Sequence, residues 1–109
     1  MSKPKKSLRE RQSEFARAIG LLITYAYQLG YELTFGDAWA KTGHKKGSWH
    51  YKRLAFDLNA FKEGKFLRKT EDHRPLGEFW ESLGGTWGGR FTHKDGNHYS
   101  WGESRESNE

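Results

Sequence analysis

None of the 109 residues is cysteine, so disulfides and thiolate metal ligands are both excluded. A transition-metal site in this chain has to be built from His, Asp or Glu. The lack of disulfides suits synthesis in a reducing cytoplasm. Long apolar runs are missing too. The longest, Ala18 to Tyr27, is interrupted by Gly20 and Thr24, and it falls far short of the roughly 20 residues that span a bilayer. It also follows charged Arg9, Arg11, Glu14 and Arg17, unlike the apolar segment of a secretory signal, and no export signal is recognised. There is no internal repeat, and hydrophobic residues make up only 34% of the chain.

Aromatic residues, by contrast, are abundant: five Trp, five Tyr and seven Phe. They predict an aromatic-rich core, with Trp and Tyr also available to line a groove. The length suits one domain. The expected boundaries are a flexible basic N-terminus (1–6), a folded domain (7–101) and a flexible Ser/Glu-rich tail (102–109). A net charge of +5 and a pI near 9.5 favour acidic partners. Nucleic acid, anionic lipid and the polyanionic bacterial cell wall all qualify, and charge alone does not choose among them.

The pattern predicts an α+β domain, with two main helices packed on a small, mostly antiparallel β-sheet. Ser7 to Leu29 reads as the first helix. Ser7 and Glu10 form a capping box, Phe15, Ile19, Leu22, Ala26 and Leu29 form the apolar stripe, and Gly30 is the stop. Tyr31 to Phe35 is a short strand, and Ala38 to Ser48 a loop or broken helix. Arg53 to Phe61 is a strand in which Leu54, Phe56 and Leu58 alternate with Ala55, Asp57 and Asn59. After the turn Glu63-Gly64-Lys65, Phe66 to Lys69 returns antiparallel. A second helix starts near Asp72 to Pro75, buries Phe79, Trp80 and Leu83, and stops at Gly84-Gly85. Asp95-Gly96 marks a turn and His98 to Trp101 a final strand.

Two segments concentrate metal-binding chemistry. Ser48 to Asp57 carries His50 and Asp57, and Asp95 to His98 carries a carboxylate three residues before an imidazole. Three such ligands with an open position and a nearby base are the inventory of a hydrolytic zinc site. His50 and Asp57 are an odd number of residues apart, so one continuous strand would place them on opposite faces. They can share a metal only if His50 precedes the regular pleat or a bulge intervenes. Asp95 taken locally is an ordinary turn aspartate. His93 and His73 read as surface or capping residues, and His44 as supporting or substrate-facing.

The pattern Ser48-x-His50-x-x-Arg53-x-Ala55-x-Asp57 resembles the Ser-x-His-x-x-Gly-x-Ala-x-Asp signature of the zinc DD-carboxypeptidase and L-alanyl-D-glutamate peptidase family. Trp87-Gly88-Gly89 followed by Asp95-x-x-His98-Tyr99 is similar to that family's second signature. Asp72 to Gly77 and Trp80-x-x-Leu83-Gly84-Gly85 resemble its bacteriophage endolysin branch. The likeness spans roughly Gly30 to Trp101. It implies a zinc peptidase domain over 7–101, with His50, Asp57 and His98 as Zn²⁺ ligands and Asp95 as the catalytic acid/base. Ser48 then supports the His50 loop and is not a nucleophile.

Two departures stand out. Arg53 occupies the motif glycine. The arginine with which carboxypeptidase members engage substrate is missing from Asp37 to Lys41, and the ammonium of Lys41 does not reproduce a planar guanidinium fork. The resemblance therefore implies hydrolysis of stem-peptide bonds in bacterial peptidoglycan to lyse the host. L-Alanyl-D-glutamate endopeptidase activity is favoured, and D-alanyl-D-alanine carboxypeptidase activity is the alternative. Trp49, Tyr99 and Trp101 are expected to wall the substrate groove. The expected protein is a monomer made in the host cytoplasm, acting on the wall after release. From other classes, a basic aromatic nucleic-acid-binding module and a wall-binding relative without turnover remain open.

Overall fold

Ser7 starts the first helix as the sequence predicts. Its hydroxyl accepts from the Glu10 amide at 3.1 Å, and the Glu10 carboxylate accepts from the Ser7 amide at 3.0 Å, a reciprocal capping box. A computed structural model describes residues 6–36 and 52–102. Helix α1 (Leu8–Gln28) buries Phe15, Ala18, Leu22 and Ala26. Leu29 lies outside this face and is exposed, whereas Ala18 joins it. Gly30 follows in the left-handed region at φ 89°, where a residue without Cβ ends a helix at least cost.

Among the described residues, five strands form one antiparallel sheet: β1 (Glu32–Phe35), β2 (Ala55–Lys62), β3 (Lys65–Phe66), β4 (Thr86–Trp87) and β5 (His98–Ser100). The order is β1-β2-β5-β4, with β3 also paired to β2. β3 is shorter than expected, ending at Phe66, although the Leu67 amide still donates to the Ala60 carbonyl at 2.9 Å. A 3₁₀ turn (Thr70–His73) then leads into α2 (Arg74–Ser82). Together these elements make the predicted α+β domain. The expected loop at 38–48, the segment Asp37 to Lys41, and His44, Ser48, Trp49 and His50 lie outside the described residues, as do most of both chain ends.

The sheet and both helices share one core, centred on rings. Phe56 and Tyr99 meet Trp80 at 6.0 Å each, and Phe15 meets Trp80 at 5.9 Å, all near edge-to-face. Trp80 donates its indole N–H to the Ser100 carbonyl at 2.9 Å, and Trp87 donates to the Gly96 carbonyl at 2.7 Å. Each fully buried indole is thereby satisfied.

Three expectations need correction. α2 buries Leu76, Gly77 and Trp80, while Phe79 is only half-buried, stacked on Tyr25 at 4.0 Å, and Leu83 packs at the core's margin. His73 is neither a surface residue nor a side-chain cap; it is 2% exposed. Its two ring nitrogens face the Tyr99 hydroxyl and the Leu67 carbonyl, each at 3.3 Å, and burial holds its pKa below the ordinary histidine value. Tyr99 does not wall a groove. It is fully buried, and burial drives its phenol pKa far upward, with Tyr31 adding to the shift.

Gly77 shows how tightly α2 rests on the sheet: a Cβ there would sit 2.1 Å from the Trp87 ring. Replacing a helical glycine with alanine gains about 1 kcal/mol in propensity, but overpacking a tight core costs about 1–3 kcal/mol. Gly77→Ala is expected to lower the midpoint of urea unfolding. A raised midpoint would show that the α2–β4 contact is loose.

Candidate metal centre

The register of the two central strands builds the site. β2 and β5 run antiparallel with Asp57 directly opposite His98, flanked by Phe56 opposite Tyr99 and Ala55 opposite Ser100. Side chains of directly opposed residues lie on the same face, so Asp57 and His98 meet while Phe56 and Tyr99 go to the core. The Leu58 amide extends the pairing by donating to the Asn97 carbonyl at 2.9 Å. His98 is completely buried, with Phe91 against its ring at 5.3 Å.

Asp95 enters from the turn before β5. Its amide donates to the Gly88 carbonyl at 2.9 Å, and its carbonyl accepts from the His98 amide at 3.1 Å. These bonds tie both ends of the short Asp95-to-His98 segment. One ligand atom each from Asp57, Asp95 and His98 lies within 4.8 Å of the others. Three of the four positions that the sequence reading assigns to the site thus converge from two distant segments, and the fourth, His50, lies outside the described residues.

Spacing tests whether a metal suits this cluster. The buried His98 Nδ1 and Asp57 Oδ1 stand 3.5 Å apart, well beyond the roughly 2.7–2.9 Å of a charge-assisted hydrogen bond. Two ligands about 2.0–2.2 Å from a tetrahedral zinc are separated by about 3.3–3.5 Å. The pair therefore fits the edge of a zinc tetrahedron better than a tight ion pair, and oxygen with imidazole nitrogen is a suitable donor set.

Arg53 bears on the question of strand continuity. Its φ is 57°, and regular pairing in β2 begins only at Ala55. The pleat is therefore broken between positions 50 and 57, which removes the parity objection to His50 and Asp57 sharing an ion. The left-handed backbone also explains why a glycine suits this motif position. Arg53 itself is exposed.

The model of the D-alanyl-D-alanine carboxypeptidase family, a zinc-dependent M15 peptidase group, matches residues 42–101. That is more than half of the chain. The chain belongs to this family. No curated protein matches it. As an M15-type peptidase it has, among the described residues, one carboxylate–imidazole cluster able to hold a metal ion, and this is Asp57, Asp95 and His98.

Sequence reasoning missed the glycines that make room for the cluster. A Cβ on Gly88 would lie 2.2 Å from the Asp95 carbonyl oxygen and 2.8 Å from His98 Cβ. A Cβ on Gly36 would lie 3.1 Å from Asp57 Cβ. The signal was present in Trp87-Gly88-Gly89, but spacing alone does not reveal what packs against a glycine. At Gly88 the nearest obstacle is backbone and cannot rotate away. Gly88→Ala is accordingly expected to displace the Asp95 turn and weaken zinc binding by about tenfold or more. Competition against a zinc-chelating dye measures this, and wild-type affinity in the variant would show that Gly88 does not position the site.

Proposed function

We propose that this protein is a peptidoglycan peptidase of the phage-endolysin type, in which His50, Asp57 and His98 hold Zn²⁺ and Asp95 is the acid/base. The observation that carries the reading is the Asp57–His98 pair, opposed across two strands at 3.5 Å with Asp95 beside it, in a chain of the M15 family. His50 supplies the third ligand from the segment outside the described residues, with Ser48 supporting its loop and His44 and Trp49 facing substrate.

Zinc held by His50, Asp57 and His98 would supply Lewis acidity, lowering the pKa of a water towards neutrality and polarising a carbonyl. The protein's own share is proton transfer and orientation. Asp95 takes a proton as the water oxygen bonds to the carbonyl carbon. It then passes that proton to the nitrogen as the C–N bond breaks, leaving an amine and a carboxylic acid, which gives up its remaining proton to solvent. The two hydrogen bonds at the backbone of Asp95 fix where its carboxylate begins, so this base needs little reorganisation.

We favour the L-alanyl-D-glutamate bond because Asp37 to Lys41 lacks the arginine expected of a carboxypeptidase. D-Alanyl-D-alanine carboxypeptidase activity is the second reading, supported by the family's own description. A basic nucleic-acid-binding module would account for the +5 charge, but not for a buried imidazole opposed to a carboxylate. The proposed setting is synthesis in the host cytoplasm and action on the wall after release.

Asp95→Ala is expected to retain stoichiometric zinc while losing about 10²–10⁴-fold in turnover of purified peptidoglycan. His98→Ala is expected to lose the metal as well. Metal content by mass spectrometry and release of new amino termini separate the two outcomes. Wild-type hydrolysis by the Asp95→Ala protein would refute the assignment of the base.

A further inference from the structure

A cleft of about 240 Å³ opens beside Asp95. One wall is the segment from Phe66 to Thr70, leaving β3 for the 3₁₀ turn, and the other is the turn from Lys94 to Asn97. Asn59 of β2 and His73 also line it. A Cβ on Gly96 would come within 2.6 Å of Thr70 Cα, so the two walls are in contact there. The volume is smaller than the roughly 300–1,000 Å³ of pockets for drug-sized ligands, which suits a single amino-acid residue.

Its charge is asymmetric. Arg68 and Lys94 bring two exposed cations, one from each wall. The nearby carboxylate of Glu71 feels Lys94 and is held by the Arg74 guanidinium through two 2.6 Å bonds. Against the two cations the lining sets one carboxylate, Asp95, together with the amide side chains of Asn59 and Asn97.

Position gives the cleft a direction. Asp95 lines it, whereas Asp57 and His98 do not, so it extends from the cluster on the side of Asp95. In the proposed reaction Asp95 delivers its proton to the departing amine, which places the leaving residue on that side. Both candidate bonds give this residue a free carboxylate. It is chain-terminal in D-alanyl-D-alanine, and it is the α-carboxylate of a glutamate linked through its side chain in the endopeptidase substrate.

We infer that this cleft is the subsite for the leaving residue, and that Arg68 and Lys94 bind that residue's carboxylate. Arg68 offers the planar fork that Lys41 lacks, and it does so from a different part of the chain. The inference rests on the peptidase reading for its direction, while the binding chemistry of the cleft can be measured without turnover.

The test uses the full-length zinc-loaded protein and two matched peptide pairs. One pair ends in D-alanine and the other contains a side-chain-linked D-glutamate, and within each pair the carboxylate is either free or amidated. For at least one pair, wild-type kcat/KM should favour the acid by about ten- to a hundredfold, the contribution expected of charge-assisted hydrogen bonds. In Arg68→Gln/Lys94→Gln that ratio should fall towards one. The pair that shows the preference identifies whether the carboxylate is terminal or internal. No preference in the wild type, or a preference retained in the double variant, overturns the subsite. Amide chemical shifts on titration with the same acids give a second readout. If the wild type cleaves neither pair, the peptidase reading fails by itself. Acid-dependent shifts at residues 66–70 and 94–97, abolished by the double substitution, would then still establish the subsite, and their absence would overturn it.

Discussion

The antiparallel register between β2 and β5 is the constraint on which the site depends. It sets Asp57 against His98 on one face and Phe56 against Tyr99 on the other. The same backbone pairing thus builds the cluster and fills the core behind it. A slip of one residue would turn one strand's cluster residue towards the core and its ring away from it. The aromatic contacts around Trp80 oppose that slip, because Phe56 of β2 and Tyr99 of β5 both meet its ring in the observed register.

Three buried side chains around the site are engaged by the fold. Trp80 and Trp87 donate to the carbonyls of Ser100 and Gly96, which bracket the His98 strand. His73 joins the Tyr99 hydroxyl to the Leu67 carbonyl, linking the residue beside His98 to the wall of the neighbouring cleft. Such supporting contacts fix the positions of reactive groups that would otherwise sample many rotamers. Glycines contribute by omission: Gly36 and Gly88 let backbone approach Asp57, Asp95 and His98 where a methyl group would intrude.

Local features were legible from the sequence. The Ser7–Glu10 capping box, the alternation from Phe56 to Asn59, and the stop at Gly30 depend on neighbours in the chain, and each is present, although Ala55, expected on the polar side, is buried. Convergence of Asp57 with Asp95 and His98 was legible only through two motifs in order, since no local rule joins segments so far apart. The place of Tyr99 follows from strand parity and not from its ring type: with His98 facing the cluster, its neighbour faces the opposite side. A polar residue at a helix start commonly caps, but the partners of His73, the Tyr99 hydroxyl and the Leu67 carbonyl, are supplied by tertiary structure that its neighbours in the chain do not reveal. Leu76 shares the helical spacing of Phe79, Trp80 and Leu83, whereas the packing of Trp87 against Gly77 is supplied by tertiary structure that the apolar pattern of α2 does not encode.

The central claim joins a metal to a scissile bond, and digestion of purified peptidoglycan tests both together. The protein is incubated with the wall polymer as prepared, after chelation, and after restoring zinc, and the new termini are identified by mass spectrometry. The account predicts new stem-peptide termini that disappear on chelation and return with zinc. Release of the same termini in the presence of chelator, or none from zinc-loaded protein, would contradict it.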